Sequence, residues 1–246
     1  MNNHITILIL ARNVSSWIDK CIQSALNQDY DNFNIIFIDA CSTDNTYNIM
    51  KEYELKNENL LVIQNSTRKF PSENMLIGTK MSKKESIIVI LDGDDWLKHE
   101  NVLARINSEY VKKDCWMTYG TYEEFPYRDV SHIYHRYPKE IIEKNSFREY
   151  QWLASHLRTY KRELFLHINE EDLKDKDGNF FDVAGDMAVQ FPMLEMSGHK
   201  SSYIPDILYV YNRTNPNSEA CIYKDKSDIT DAYIRNKDKY KQIENL

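Results

Sequence analysis

The sequence predicts an α/β fold in which helices cover both faces of a central, mostly parallel sheet. First, apolar runs such as "TILIL" (6–10) and "IIVIL" (87–91) are continuous and do not alternate with polar residues. Strands that are buried on both faces have this pattern. Second, segments with the periodicity of amphipathic helices separate these runs. Strands and helices that alternate along a chain are typical of parallel sheets with helical crossovers.

The elements of the first half follow one another in a regular order. We predict strands over 6–10, 34–40, 60–65, 86–92 and 116–125. We predict helices over 15–30, 42–56, 72–84 and 99–113. In the first of these helices, Ile18, Ile22 and Ala25 recur at the spacing of one helix face, so this face is expected to pack on the sheet.

Beyond about residue 126 the pattern is weaker. We expect a helix near 146–166, a loop over 170–182, a short helix from about 185, a strand over 207–211 and a polar helical tail over 226–246. The chain shows neither an internal repeat nor a low-complexity linker. We therefore predict one domain over 1–246, with functional halves at 1–125 and 126–225 ahead of the tail.

Composition and charge exclude several classes of function. The net charge is −7 and Lys and Arg form no stripe with aromatic residues, so nucleic acid is not an expected partner. The apolar runs are shorter than the roughly 18 residues that a membrane helix needs. The N-terminus lacks signal-peptide features, so we expect a cytoplasmic protein, with peripheral membrane contact left open. The cysteines are far apart and are predicted to be free thiols: Cys21, Cys41, Cys115 and Cys221.

Polar groups follow the predicted strands at the points where the strands end. The first strand runs into Ala11-Arg12-Asn13, the second ends at Asp39, and the fourth ends at Asp92. Ligands of open parallel sheets bind at the carboxyl ends of the strands. We therefore expect a binding site at this edge. For Asp39, a cap or turn ahead of "STDNT" is an equally good interpretation.

Three carboxylates follow the fourth strand in "LDGDDWL": Asp92, Asp94 and Asp95. Carboxylates this close repel one another and each costs free energy to desolvate, which indicates a bound cation. A turn with a helix cap is the alternative, although a cap needs only one carboxylate. An EF-hand loop is excluded, because Leu97 and Leu103 stand where it needs Gly and Glu. The remaining interpretation is Mg²⁺ or Mn²⁺ held by one or two carboxylates and completed by water and substrate phosphates.

The stretch "TILILARNVSSWIDKCIQSALNQDYDNFNIIFIDACSTDNT" followed by "ILDGDDWL" resembles the inverting glycosyltransferases of family 2, which have the GT-A fold. The resemblance covers residues 4–125 and, more loosely, 180–215. It implies a GT-A-type, Rossmann-like domain whose first half binds a nucleotide-sugar and whose second half binds the acceptor. A UDP-sugar donor, a carbohydrate or other hydroxyl acceptor and Mn²⁺ or Mg²⁺ are implied with it.

The nucleotide-binding positions of the family can be read onto this chain residue by residue. Where the family has Pro-Thr-Tyr-Asn after its first strand, this chain has Leu10-Ala11-Arg12-Asn13, so only Asn13 matches. Asp39 matches the first residue of the family's Asp-Asp-Gly-Ser, an aspartate that often contacts uracil. The second Asp is replaced by Ala40. The resemblance therefore implies a uridine site with altered contacts.

The D-x-D motif of the family is intact as Asp92-Gly93-Asp94. By resemblance, Asp94 ligates the metal, and Asp92 contacts the donor ribose or shares the metal.

Residues of the second half complete the implied site. Asp186, which follows Gly185 at a predicted helix start, matches the family's catalytic base, and a helix N-cap is the alternative or additional role. Arg213 in "YVYNRTN" lies in a segment that resembles one that folds over the diphosphate, although a solvated surface arginine is an equal alternative. Trp152 and His156 are weaker candidates on the acceptor side, because such residues are more often packing residues.

The implied reaction is a single displacement at the anomeric carbon, with a general base and no covalent nucleophile. A sugar-nucleotide pyrophosphorylase is a rival, but it needs a glycine-rich loop after the first strand, and residues 11–33 contain no glycine. A non-catalytic nucleotide-sugar-binding module is the other rival. The intact D-x-D motif and the candidate base argue against it.

Overall fold

The computed structural model describes residues 2–216 and 224–246. Its strands are β1 (Ile5–Ala11), β2 (Phe33–Asp39), β3 (Leu60–Gln64), β4 (Ile87–Asp92), β5 (Trp96–Leu97), β6 (Met117–Phe125), β7 (Arg128–Asp129), β8 (Ser155–Lys161) and β9 (Ser201–Asn212). Its helices are α1 (Ile18–Leu26), α2 (Thr46–Glu54), α3 (Pro71–Met81), α4 (Val102–Lys113), α5 (Lys139–Glu143), α6 (Arg162–Leu166), α7 (Gly185–Ser197) and α8 (Lys224–Arg235). The strands and helices predicted in the first half are therefore present, within a few residues at their ends.

The strands form one sheet in the order β3-β2-β1-β4-β8-β6-β9-β5, with β7 paired to β6. The four strands β3, β2, β1 and β4 are parallel. Beyond β4, the strand β8 is antiparallel to both of its neighbours, and β6 and β9 are parallel. The predicted α/β class with one domain is confirmed. This strand order brings the carboxyl ends of β1, β2 and β4 side by side, with Ala11 opposite Asp39 and Leu10 opposite Asp92.

Two hydrophobic layers hold the sheet, one on each face. All residues of β1 are buried, because its alternate side chains enter opposite layers. Ile7 and Ile9 pack in the layer that contains the apolar face of α1. Leu8 and Leu10 pack in the layer that contains residues of α3 and α7. A strand between two apolar layers needs no polar face, which explains the continuous apolar run.

The helix predicted near 146–166 is wrong. Strand β8 and the short helix α6 occupy most of this range. Leu153, Leu157, Tyr160 and Leu164 have helical spacing, but Leu157 is buried in one layer and the other three in the opposite layer. Strand β8 lies between β4 and β6 in the interior of the sheet, and this long-range pairing outweighs the local periodicity.

The C-terminal tail is helical only as far as Arg235, so the helix predicted to continue beyond it is wrong there. The final residues pack on the core through the partly buried side chains of Tyr240 and Ile243. The Ile243 N–H also donates to the Met196 carbonyl at 3.0 Å. Segment 236–246 is therefore held by tertiary contacts and not by helix propensity.

Cys21, Cys41 and Cys115 are free thiols, as predicted, whereas Cys221 lies outside the described residues. Across 2–216 and 224–246, none of the helices combines the length and the apolar character needed to cross a membrane.

Candidate active site

The D-x-D segment turns sharply at the carboxyl end of β4. The Gly93 N–H donates to the Leu10 carbonyl at 2.8 Å, which holds the turn against the end of β1. A Cβ atom at Gly93 would lie 2.5 Å from the Cβ of Ala11. Only glycine permits this close approach. The predicted residues Ala11, Gly93 and Asp92 are therefore brought together, and Gly93 sets the distance between the two strand ends.

Asp92 and Asp94 are partly buried carboxylates with raised pKa values. Desolvation and the charge of Asp94 raise the pKa of Asp92 to about 6, against the opposing charge of Arg158. Desolvation also raises the pKa of Asp94, although the side chain of Asn215 donates to its Oδ2 at 2.7 Å. A nearby cation would relieve this cost, because opposite charge favours the ionised carboxylate.

Asp95 has a different environment from its two neighbours. It is 2% exposed. Its Oδ2 accepts a hydrogen bond from the Tyr209 hydroxyl at 2.6 Å, and its Oδ1 accepts one from the Asn212 N–H at 2.7 Å. Both donors belong to β9, so Asp95 joins the D-x-D turn to the far side of the sheet.

Asp186 lies in the first turn of α7. It is not the N-cap residue: Ala184 holds that position in the left-handed conformation. The Met187 N–H donates to Asp186 Oδ1 at 2.9 Å, and Nη2 of Arg158 lies 2.7 Å from Oδ2. The Asp186 side chain is 29% exposed while that of Arg158 is 9% exposed. Asp186 also lies close enough to Asp92 for its charge to raise the pKa of Asp92.

The loops after β1 and β2 are tied to each other at the same edge. Asn13 has a positive φ of 55°. Its N–H donates to Ser42 Oγ at 2.9 Å, and its Oδ1 accepts from the Thr43 N–H at 2.8 Å. The buried carboxylate of Asp39 accepts from the backbone and hydroxyl of Ser42, and from Gln64 Nε2 at 3.2 Å. Asp39 thus forms the turn that was the alternative interpretation of its position, its contact with a nucleotide stays a prediction, and Arg12 is exposed.

The remaining candidates of the second half are engaged by other side chains. Nε of Arg213 donates to Glu124 Oε1 at 2.7 Å, and its guanidinium lies 4.3 Å from the centre of the Tyr211 ring. His156 is buried and stacks on Tyr209 with 4.4 Å between ring centres. Burial lowers the pKa of His156 well below its usual range. The packing interpretation therefore applies to His156.

Trp152 packs edge-on against Phe191 of α7, with 5.1 Å between ring centres. The packing interpretation therefore applies to Trp152 as well.

The sequence profile of Glycosyl transferase family 2 matches residues 6–168, a range that includes β1 to β4 and the D-x-D turn. This chain belongs to glycosyl transferase family 2. It is therefore a glycosyltransferase by family, which argues against the sugar-nucleotide pyrophosphorylase.

Relatives and solved structures agree with the family. The chain is 23% identical to glycosyltransferase GlyG of Streptococcus pneumoniae, over 87% of this chain and 72% of that protein. The structure of S. aureus TarS 1-349 in complex with UDP-GlcNAc has a TM-score of 0.64 at 18% identity, over 86% of this chain and 59% of that one.

A mannosyltransferase from Pyrobaculum calidifontis, in complex with GDP-Man and Mn²⁺, has a TM-score of 0.67 at 16% identity, over 98% of this chain and 66% of that one. The GT-A fold is thus confirmed, and the chain spans about two thirds or less of these solved chains.

The family 2 site of this chain fits a divalent ion that the substrate completes. In the described parts of the chain, no group of three or more His, Cys, Asp and Glu side chains is placed to hold a metal. Asp92 and Asp94 offer hard oxygen ligands, whereas Asp95 is committed to β9. Mg²⁺ and Mn²⁺ are commonly held by one or two carboxylates, with water and phosphate oxygens as the other ligands.

Arg158 is the residue that sequence reasoning missed. The wrong helix prediction over 146–166 concealed that β8 runs antiparallel to β4, with Val89 opposite Thr159. That pairing carries Arg158 toward the carboxyl end of β4. The available signal for a functional role of Arg158 was its charged side chain between Leu157 and Thr159, both of which are buried.

Proposed function

We propose that this enzyme transfers a sugar from a UDP-sugar to a hydroxyl acceptor, with inversion at the anomeric carbon and with a divalent ion. The observation that carries the proposal is the convergence of Asp92, Asp94 and Asp186 at one edge of the sheet. The D-x-D carboxylates and Asp186 have separate partners, which suits two tasks. Asp92 and Asp94 would act as metal ligands, and Asp186 would use a free lone pair to accept a proton.

In this mechanism Asp186 is the general base. The acceptor hydroxyl attacks the anomeric carbon and transfers its proton to a carboxylate oxygen of Asp186 while the bond to the diphosphate breaks. An α-linked donor then gives a β-linked product. Asp94, with Asp92, would hold Mn²⁺ or Mg²⁺, which would supply Lewis-acid charge for the leaving diphosphate.

Several residues are proposed to hold the nucleotide. The nucleobase of the donor would bind at the ends of β1 and β2, where these residues lie: Asp39, Asn13, Arg12 and Ala11. Arg213 would contact the diphosphate, which requires it to exchange its partner Glu124 for a phosphate oxygen. Asp39 is fully buried and already accepts from Ser42 and Gln64, so its contact with uracil would require it to exchange one of these partners.

The choice of UDP and of a glycan acceptor is supported by relatives. An Escherichia coli relative, 29% identical over 46% of this chain and 49% of that protein, is named as the UDP-Glc:alpha-D-GlcNAc-diphosphoundecaprenol beta-1,3-glucosyltransferase WfaP. We propose a comparable role in polysaccharide biosynthesis, in the cytoplasm, where nucleotide-sugars are made.

The decisive experiment is Asp186→Asn, with Asp182→Asn as the matched control from the same approach to α7. We expect turnover of Asp186→Asn to fall by roughly a hundredfold or more, the usual scale for loss of a general base. Affinity for UDP with Mn²⁺ should stay near that of the wild type, because a base acts mainly in the transition state. Near-normal turnover of Asp186→Asn, or a comparable loss in Asp182→Asn, would contradict the assignment.

The melting temperature of Asp186→Asn must be measured in parallel, because Arg158 loses its charged partner in this variant. We expect the melting temperature to fall without loss of folding, since the amide oxygen can still accept from Arg158. Assays should therefore be run well below the new melting temperature.

The metal is tested by Asp94→Ala. Calorimetry should show that Mn²⁺-dependent UDP binding is lost in this variant. Unchanged UDP binding would refute the metal assignment.

A further inference from the structure

Arg158 is an arginine in the interior of the sheet. Strand β8 pairs with β4 on one side and with β6 on the other. The residue as a whole is 7% exposed. An arginine remains charged at every relevant pH, so burial of its guanidinium needs compensating partners.

Its partners leave Arg158 little freedom. Nε donates to the Ala154 carbonyl at 3.1 Å, which fixes one edge of the guanidinium to the backbone. Nη2 reaches Asp186 Oδ2 at 2.7 Å. The side chain is therefore anchored at both ends of its planar group, with the carboxylate of Asp186 as its charged partner.

The charged and titratable groups that face Arg158 come from three elements. Asp186 belongs to α7, Asp92 to β4 and His156 to β8 itself. Desolvation and the charge of Asp94 raise the pKa of Asp92, and the charge of Arg158 opposes them. Burial lowers the pKa of His156, and the charge of Arg158 lowers it further. Arg158 thus lies between the D-x-D end of β4 and the candidate base.

The carboxylate of Asp186 is held through both of its oxygens. The Met187 N–H binds Oδ1, and Arg158 binds Oδ2. Two donors on different oxygens fix the rotation of the carboxylate about its last torsion. Each oxygen keeps a lone pair, so the group can still accept a proton from a third partner.

We propose that Arg158 is a positioning residue for the transfer reaction, which orients the Asp186 carboxylate toward the acceptor hydroxyl. This inference rests on the proposed function, in which Asp186 is the base. Arg158 acts through Asp186 and needs no contact with the sugar.

A positioning role makes a specific kinetic prediction. A base that is misplaced by an ångström loses rate while the donor is bound as before. Removal of Arg158 should therefore lower kcat far more than it changes the KM for the donor or the affinity for UDP. An arginine that bound the diphosphate itself would do the opposite.

The test is a double-mutant cycle with Arg158→Met and Asp186→Asn, assayed as full steady-state kinetics. We expect Arg158→Met alone to lower kcat by roughly 10- to 100-fold, the scale of a misplaced catalytic group. In the Asp186→Asn background the same change should lower kcat by less than about threefold, because residues that act as a unit are not additive. Arg158→Lys should recover part of the rate through its charge.

Arg148→Met is the matched control. Arg148 is also buried and also pairs with a carboxylate of α7, through Nη2 to Glu195 Oε2 at 2.9 Å, but it faces the C-terminal tail. Its loss should lower the melting temperature and leave kcat of the folded enzyme near the wild-type value. If Arg158→Met does not fold, Arg158→Gln takes its place with the same expectations.

The outcomes separate the two levels of the proposal. Near-normal turnover of Asp186→Asn refutes the assignment of Asp186 as the general base and, with it, the positioning role of Arg158. A strong effect of Asp186→Asn with full additivity of Arg158→Met refutes the positioning role alone. A raised donor KM with normal kcat in Arg158→Met also refutes it, and so does an equal loss of kcat in Arg148→Met.

Discussion

Gly93→Ala tests the close contact between the D-x-D turn and the end of β1. The new Cβ would lie 2.5 Å from Ala11 Cβ and 3.2 Å from both Ala11 Cα and the Leu10 carbonyl oxygen. Ordinary contacts begin at 3.4 Å, so the two strand ends must separate by about 1 Å. None of the three atoms is the end of a flexible side chain, so the backbone itself must move.

The cost follows from this displacement. Overpacking of a well-packed site destabilises by about 2 kcal/mol, which corresponds to a fall of roughly 4–8 °C in melting temperature for a chain of this size. Gly93 stands between Asp92 and Asp94, so the same movement displaces both carboxylates. A displacement near 1 Å can cost about a hundredfold in rate, so turnover should fall far more than the loss of stability implies.

Ala11→Gly provides the compensating change, because it removes the atom at 2.5 Å. In thermal denaturation and in a UDP-release assay, Gly93→Ala combined with Ala11→Gly should recover most of the melting temperature and much of the activity. Ala11→Gly alone should cost about 0.5–1 kcal/mol through backbone entropy. If Gly93→Ala has wild-type stability and activity, or if Ala11→Gly rescues neither, the contact does not constrain the site.

Three further predictions concern stability. Burial raises the pKa of Glu109, but hydrogen bonds led by that from Lys113 outweigh it and lower the pKa from 4.5 to about 2. The stability that Glu109 adds is therefore present above pH 4.5 and lost toward pH 2, so the difference in melting temperature between wild type and Glu109→Gln should narrow over that range. For Asp92, the pKa is raised from 3.8 to about 6, so the native state binds the proton more tightly. Without metal, unfolding free energy should fall as pH rises from 3.8 to 6, and Asp92→Asn should remove this slope in urea titrations. Asp44 Oδ1 accepts the Thr46 N–H at 3.0 Å at the start of α2, so Asp44→Ala should cost about 1 kcal/mol in thermal denaturation, whereas Asp44→Asn should cost little.

The parallel half of the fold is predictable because its signal is local. The runs that form β1 and β4 are apolar at nearly every position, since both of their faces are covered. The turn role of Asp39 is also readable, because its partner Ser42 lies three residues on. These features need no knowledge of distant parts of the chain.

The second half of the site depends on pairs that are far apart in sequence. Arg213 meets Glu124, which lies 89 residues away. Arg158 reaches Asp186 only because β8 is inserted between β4 and β6. A single sequence carries no record of such pairings. The helix predicted near 146–166 was the wrong element, and it hid the position of Arg158 in the sheet.

The three carboxylates of the D-x-D turn are explained by a division of tasks. Asp95 accepts hydrogen bonds from Tyr209 and Asn212, which hold β9 against the turn. Desolvation raises the pKa values of all three carboxylates, but Asp92 and Asp94 are only partly buried, whereas Asp95 is 2% exposed. The Tyr209 hydroxyl also lies 3.2 Å from Asp92 Oδ2, so the structural carboxylate and the candidate ligand share one donor. These hydrogen bonds from β9 fix the backbone of the turn, and in the proposed function they would leave Asp92 and Asp94 available for an ion that arrives with the substrate.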